Sequence, residues 1–238
     1  NKSNFQSSFG ENVAAEGLYY VASFNTNESA YGDFGDYKEL GYLALANYSY
    51  KDKYVLDLSF RNDGSSRFAS GYRFGNFYSV GAAWNISNEN FLTDSNIVDD
   101  LKLRASFGQT GNNGIGNNQY QSLFGYGGAY DNNGAVAPST FGNLIISWET
   151  AELLDVGVDF SLFDGRLSGG VTYYEKTTED LLQSVPLSRT TGHTSQTMNI
   201  GSILNKGIEV EIDAQVLRTK DFSFEIYGNF SENNDEVL

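Results

Sequence analysis

Four stretches of this chain alternate apolar and polar side chains so regularly that only β-strands suit them. Ile208, Val210, Ile212, Ala214 and Val216 interleave with Glu209, Glu211, Asp213 and Gln215. Leu154, Val156, Val158, Phe160 and Leu162 interleave with Asp155, Gly157, Asp159 and Ser161. The same period of two runs through Tyr54, Leu56, Leu58 and Phe60 against Asp57, Ser59 and Arg61, and through Phe222, Phe224, Ile226 and Phe230 against Ser223, Glu225, Asn229 and Ser231. Successive side chains of a strand point to opposite faces, so each run carries one aliphatic and one polar face. A helix would scatter both kinds around its circumference.

Runs of this kind predict about nine strands, near residues 13–24, 38–50, 53–62, 73–86, 101–110, 148–163, 166–178, 203–217 and 221–232. Most reach the roughly 9–11 residues a tilted strand needs to cross a bilayer, whereas strands of soluble sheets run nearer 5–6. The connections alternate in length. Residues 50–53, 163–166 and 218–221 are tight turns, while 25–37, 63–72, 111–147 and 179–202 are longer and rich in Gly, Asn, Ser and Thr. Outer-membrane barrels combine short periplasmic turns with long extracellular loops. The connection 87–100 is longer than that rule expects of a periplasmic turn, and a short helix is expected within it. Tyr48, Tyr50 and Tyr54 bracket the first tight turn, as an interfacial aromatic girdle would.

Composition agrees with an all-β protein and removes other classes. Aromatic residues make up 15% of the 238, with 26 glycines, two prolines and no cysteine. The last point rules out disulfide frameworks and thiolate metal sites. A net charge of −15 argues against nucleic acid, because phosphate binding needs clustered positive charge. No apolar run approaches the length of a membrane helix, and mean hydropathy is −0.37. A membrane barrel has such averages too, since only every second side chain meets lipid. The chain starts at Asn1 without a signal peptide and stops at Leu238 after a strand-like run. It therefore reads as a piece of a longer protein, all of 1–238 belonging to one barrel domain.

The pattern assigns faces. Asp57, Arg61, Asp155, Asp159, Glu209, Glu211 and Asp213 are expected to line a lumen, and Leu56, Leu58, Val156, Val158, Ile208, Val210 and Ile212 to meet the lipid bilayer. No catalytic residue, metal site or cofactor is expected. Glu209 and Glu211 stand about 7 Å apart, within glycosidase range, yet strand alternation produces that spacing by itself. His193 lies in a Thr-rich loop without a cysteine or carboxylate pair beside it, and reads as a solvated loop residue. Asp131-Asn132-Asn133-Gly134 lacks the first acid and the terminal Glu of a calcium loop, so a turn is the better reading. Glycines 108, 111, 114 and 116 precede no Lys-Ser/Thr, which excludes a phosphate cradle. Tyr120, Phe124, Tyr126 and Tyr130, set among Gly and Asn, are the candidate contacts for substrate or a lid protein, through stacking on sugar rings or protein packing.

The run Tyr54-Val55-Leu56-Asp57-Leu58-Ser59-Phe60-Arg61-Asn62-Asp63-Gly64-Ser65-Ser66-Arg67-Phe68 resembles a signature of the SusC/RagA-like family of TonB-dependent outer-membrane transporters. Further matches follow in the family's order: Trp84-Asn85-Ile86-Ser87, Leu101 through Asn112, Trp148-Glu149, Gly157-Val158-Asp159-Phe160, Asp180-Leu181-Leu182, Asn199-Ile200-Gly201, Asn205-Lys206-Gly207-Ile208-Glu209 and Asn229-Phe230-Ser231. Tyr78 departs from the proline common there. The resemblance covers about residues 40–238. It implies an antiparallel transmembrane barrel of the 22-stranded, plugged type, of which this piece supplies about nine strands, without the plug domain or the C-terminal strands. It further implies a place in the outer membrane of a Gram-negative bacterium and active import of glycans or peptides. The implied partners are a SusD-like surface lipoprotein and the TonB complex, the latter reached through the missing plug. The competing class is a soluble or cell-surface β-rich adhesin, whose apolar faces would be buried in a core.

Overall fold

The structure is a computed structural model that describes residues 2–13, 24–93, 95–130 and 133–238. Its strands are β1 (Lys2–Val13), β2 (Phe24–Asp36), β3 (Glu39–Tyr50), β4 (Tyr54–Ser65), β5 (Phe74–Asn85), β6 (Val98–Asn112), β7 (Leu123–Tyr130), β8 (Asn133–Thr140), β9 (Glu149–Leu162), β10 (Leu167–Glu179), β11 (Leu182–Pro186), β12 (Ser195–Asn199), β13 (Ile203–Arg218) and β14 (Ser223–Val237). Eight of them form one antiparallel sheet in the order β14-β13-β10-β9-β6-β5-β4-β3. That is a meander in which every strand pairs with the next long strand in the chain. The pairs β7–β8 and β11–β12 are hairpins within the two longest connections, and β1–β2 form a separate two-stranded sheet.

Eight of the nine expected strands are these eight. The ninth, at 13–24, falls mainly on residues 14–23, which lie outside the described residues; its two ends are the last residue of β1 and the first of β2. The expected loop 25–37 is instead largely β2, and the expected loops 111–147 and 179–202 each contain a hairpin. Period-two alternation reports a half-buried strand. A hairpin as short as β11–β12, with Val185 opposite Gln196 and Ser184 opposite Thr197, leaves no such trace. In place of the helix expected in 87–100 the described residues form a 3-10 turn at Ile86–Asn88, followed by a turn in which Leu92 N and Thr93 N donate to Glu89 O at 2.9 and 3.2 Å.

The connections sort onto the two ends of the sheet. Turns 51–53, 86–97, 163–166 and 219–222 lie at one end; the long connections 66–73, 113–148 and 180–202 lie at the other. The tightest turn places Lys51 and Asp52 at φ 53° and 54°, closed by Lys53 N donating to Tyr50 O at 3.0 Å. Two central residues at positive φ give a turn whose twist matches that of the strands it joins.

Candidate functional site

Directly opposite residues of an antiparallel sheet share a face, so the register shows how the alternating residues align. Tyr48, Leu56, Ala82, Ala105, Val156, Tyr173 and Ile208 form one continuous row, and Tyr54, Trp84, Leu103, Val158, Val171, Val210 and Phe230 form the next. Ile212 belongs to the row beyond, opposite Gly169. All seven residues assigned from sequence to the apolar face thus lie on one side. Most are well exposed there, Leu58 by 44% and Ile208 and Ile212 by 45% each. Asp57, Arg61, Asp155, Asp159, Glu209, Glu211 and Asp213 occupy the opposite face by the same register.

The apolar band crosses the sheet on a slope. Toward the long-loop end its last members are Phe60 opposite Tyr78, then Phe107 opposite Leu154, then Tyr173 opposite Ile208, and finally Phe230. Beyond them on the same face stand Asn62 and Asn76, Gln109 and Glu152, Glu175 and Lys206, and Glu232. From β4 to β14 the boundary therefore retreats by about six residues, some 20 Å along the strands, over about 29 Å across them. The slope is roughly 35°, which is the tilt of strands in a membrane barrel. A band of constant height relative to tilted strands has this geometry, because a bilayer presents a fixed slab to all of them.

The lower margin of the band is aromatic and pinned. Tyr50 pairs with Tyr54, and Tyr54 with Trp84; the rings of the latter two stack at 6.3 Å. Beneath them Glu89 accepts from Lys53 Nζ at 2.8 Å, Tyr54 Oη at 2.6 Å and Trp84 Nε1 at 3.2 Å. These donors, Lys53 first, hold the Glu89 carboxyl down to about 2. Asn85 and Asn88 both donate to Asp52 O, at 2.7 and 2.9 Å, so the first tight turn is fastened to the connection after β5.

On the polar face one cation organises three strands. Arg104 of β6 lies across Gly157 of β9, its direct partner, and reaches Thr172 of β10. Its NH2 donates to Thr172 Oγ1 at 2.6 Å, NH1 to Asp155 Oδ1 at 2.7 Å and Nε to Asp159 Oδ2 at 3.2 Å. A Cβ on Gly157 would stand 2.7 Å from Arg104 Cζ, so only glycine leaves room for the guanidinium. Tyr174 repeats the device across Gly207, donating to Asn233 Oδ1 at 2.9 Å, and a Cβ on Gly207 would lie 2.6 Å from its hydroxyl.

The long-loop end holds the tightest packing among the described residues. Phe68, Ile115 and Ile146 are buried at 0%, 8% and 0% exposure, with Tyr120, Trp148 and Leu182 packed against them. These side chains come from all three long connections and their flanks. Trp148 sits edge-on to Phe77 at 5.4 Å and donates its indole N–H to Arg73 O at 2.9 Å. Asn199 clamps the layer, taking Ser147 N at 2.8 Å and donating to Ser147 O and Asp180 O at 3.0 Å each. Arg67 donates to Asn113 O and Asn117 Oδ1 at 3.1 and 3.3 Å.

The four loop aromatics named from sequence separate. Tyr120 packs on the loop core and accepts from Gln121 Nε2. Phe124 is 66% exposed on β7. Tyr126 and Tyr130 belong to the same strand; their side chains lie outside the described ones. His193, read from sequence as a solvated loop residue, sets its ring against Phe141, with centroids 5.1 Å apart and planes tilted by 35°. Sequence reasoning gave Arg104, Glu89 and Trp148 no role. The pattern Asp155-x-Gly157-x-Asp159 was the available signal for Arg104: two acids flanking a glycine make a seat for a cation from the neighbouring strand.

Comparison with known proteins places this architecture. A family model described as TonB dependent receptor-like, beta-barrel, matches residues 2–237. The TonB-dependent receptor P39 of Formosa agariphila is 42% identical over 82% of this chain, which covers 19% of that protein. The TonB-dependent receptor SusC of Bacteroides thetaiotaomicron is 37% identical over 83% of this chain and 20% of its own length. The structure of the RagAB peptide importer in its closed-closed state superposes with a TM-score of 0.87 at 31% identity, covering 99% of this chain and 26% of that one. The chain thus spans about a fifth of the curated relatives it matches.

Proposed function

Because this chain belongs to the TonB-dependent receptor β-barrel family, and within it is a SusC/RagA-like segment of the Gram-negative outer membrane, we propose that it is part of the wall and loop layer of an active importer of oligomeric nutrients. The observation that carries this reading is the sloping apolar band. It supports reading one face as a lipid contact, the acidic face as the wall of an aqueous lumen, and the long, packed loops as one margin of the membrane. Leu56, Leu58, Val156, Val158, Ile208, Val210 and Ile212 then meet lipid. Asp57, Arg61, Asp155, Asp159, Glu209, Glu211 and Asp213 line the lumen.

In this reading the polypeptide contributes no chemical step. Its work is to hold a rigid wall and an extracellular rim while a plug, supplied by another part of the protein, moves under TonB control. A SusD-like lipoprotein would close over the rim, with exposed Phe124 and its neighbours on β7 offered to it or to the substrate. Kinship with SusC and with a peptide importer supports import and leaves glycan and peptide both open as cargo. The adhesin reading needs the apolar face buried in a core; the sloped, exposed band and the family match favour lipid.

The test is cysteine accessibility in intact outer membranes of the full-length protein, with single cysteines at Val210, Glu211 and Phe124. Val210 should react only with lipid-soluble probes, Glu211 with water-soluble probes admitted to the lumen, and Phe124 from outside the cell. Equal behaviour of positions 210 and 211 would sink the wall assignment. Deleting the gene, or TonB, should abolish growth on one oligomeric nutrient; growth unchanged on every glycan and peptide offered would refute the import reading.

A further inference from the structure

The apolar face of the sheet is not smooth. Ala82 of β5 stands directly opposite Ala105 of β6, and the side chains around this pair are all larger. Leu56 and Val156 flank it within its row, Val80 and Trp84 along β5, Leu103 and Phe107 along β6. The two methyl groups floor a hollow of about 350 Å3, walled by Tyr48, Tyr54, Leu56, Trp84 and Leu103 and lined by no charged side chain. β5 and β6, which carry its floor, lie between β4 and β9 in the sheet.

One end of the hollow meets a charged margin. The row of Tyr54 and Trp84 lies two residues below Ala82, about 7 Å along the strands, and the turn that holds Lys51 comes next. The polar tips of both rings are engaged, since Tyr54 Oη and Trp84 Nε1 donate to Glu89, and Glu89 also takes Lys53 as its ion pair at 2.8 Å. Lys51 differs. Its Nζ stands 5.3 Å from the centroid of the Tyr50 ring, and among the described residues no carboxylate forms an ion pair with it. A cation thus rests on an aromatic face at the edge of the band, about 10 Å along the strands from the floor of the hollow.

These two features select the occupant. In hydrocarbon an apolar side chain gains nothing from being covered by another apolar group, because lipid tails are as apolar as leucine. Close packing and charge are what distinguish one occupant from another there. A concave apolar floor offers a chain more dispersion contacts than the flat band beside it, and the Lys51 ammonium offers an anion its counter-ion. A molecule that uses both carries an apolar chain and a negative head about 10 Å from the point where the chain is gripped. Half the hydrocarbon core is about 15 Å thick, so an acyl chain whose head group sits at Lys51 passes over Ala82 and Ala105 before it ends. A helix of a partner protein needs a line of small residues to lie close, whereas this pair is closed off by Val80 and Phe107 toward the long-loop end.

We propose that the hollow is the seat of one phosphate-bearing diacyl lipid from the leaflet at the short-turn end, with an acyl chain on Ala82 and Ala105 and the phosphate at Lys51. The inference rests on the reading of the apolar band as a lipid contact, and adds one held lipid to those that exchange freely along the wall.

The test is native mass spectrometry of the full-length protein with its native partners, delipidated in detergent and titrated with dioleoylphosphatidylglycerol, with dioleoylglycerol as the control that lacks a phosphate. Wild type should hold one phosphatidylglycerol roughly three- to tenfold more tightly than Ala82→Leu/Ala105→Leu, which fills the hollow and keeps the band apolar. Lys51→Asn removes the charge with a residue that suits the positive φ of 53°. It should weaken the phospholipid roughly fivefold and leave dioleoylglycerol unchanged. Val171→Phe, two strands beyond β6 in the same band, should change neither. The proposal is overturned if both hollow and Lys51 variants hold phosphatidylglycerol as wild type does, if Val171→Phe loses as much as the filled hollow, or if dioleoylglycerol binds as tightly as the phospholipid. Should the filled variant lack the heat-resistant folded band, Lys51→Asn decides alone, because its turn lies outside the packed sheet. Failure of the lipid-contact reading is separable: if lipid-soluble probes reach a cysteine at Val210 while no phospholipid is held, the wall stands and the seat falls, and if they do not reach it, both fall.

Discussion

The Arg104 bridge lends itself to a quantitative test, because its geometry predicts a sign reversal. Replacing Arg104 by Ala removes three hydrogen bonds and leaves Asp155 and Asp159 without their shared cation. Bonds to charged groups are each worth about 1.5–3 kcal/mol when enclosed, but these side chains are 26–40% exposed, and exposed ion pairs fall to about 0–1 kcal/mol. A total of about 2 kcal/mol for Arg104→Ala follows from those limits. Gly157→Ala should normally help a strand by about 0.5–1 kcal/mol. Here the new Cβ would sit 2.7 Å from Arg104 Cζ, displacing the guanidinium and costing about 1–2 kcal/mol of the same bonds. In the Arg104→Ala background that clash is gone and Gly157→Ala should become neutral or stabilising. The double-mutant cycle, read as unfolding midpoints of the full-length barrel in detergent, should therefore show a coupling of about 1–3 kcal/mol. Simple additivity of the two single costs would refute the bridge.

Other expectations follow from the same structure. Val158→Arg, in the middle of the apolar band, should cost about 2–4 kcal/mol and reduce assembled barrel in outer-membrane extracts, whereas Ser106→Lys on the opposite face should stay within about 0.5 kcal/mol; equal effects would contradict the face assignment. Ile146→Ala should loosen the loop layer by about 2–5 kcal/mol, seen as cleavage of surface loops by protease added to intact cells while the barrel keeps its heat-resistant band. Glu89 has a folded value near 2 against an ordinary 4.5, so its contribution is complete above about pH 4.5 and is lost as pH falls toward 2. The midpoint difference between wild type and Glu89→Gln should accordingly stay constant from pH 7 to 4.5 and close below that; a gap unchanged down to pH 2 would count against the Glu89 hub.

Legibility from sequence followed the solvent on each face. Ile208 to Val216 announced β13 because one side of that strand meets an apolar medium and the other a polar one, and the same asymmetry marked β4, β9 and β14. β2 and the hairpins β7–β8 and β11–β12 carry no such alternation in their sequences, FNTNESAYGDFGD, LFGYGGAY, NGAVAPST, LQSVP and SQTMN, so they read as loop. The slope of the band was not legible, since it depends on register between strands. Nor was the reach of Arg104, whose partners Asp155 on β9 and Thr172 on β10 lie 51 and 68 residues further along the chain.

The residues that carry the family resemblance fall in places where that hidden geometry is decided. Trp84 and Asn85 fasten the short-turn end, through Glu89 and Asp52 O. Phe68, Trp148, Leu182 and Asn199 assemble the loop core, while Gly157 and Gly207 open the polar face to Arg104 and Tyr174. Each of these solves a problem that any tilted, loop-capped wall must solve whatever passes through it. None lines the cavity of about 420 Å3 between the end of β8 and the β11–β12 hairpin, whose walls include Phe141, Ser184 and His193. A motif built from structural necessity can therefore identify the wall without touching its cargo, and cargo chemistry has to be sought in the stretches where no period and no motif constrains the side chains. Phe141 and Ser184, which no period or motif marks, and His193, which the sequence offers only as a solvated loop residue, are brought around one cavity by the hairpins alone.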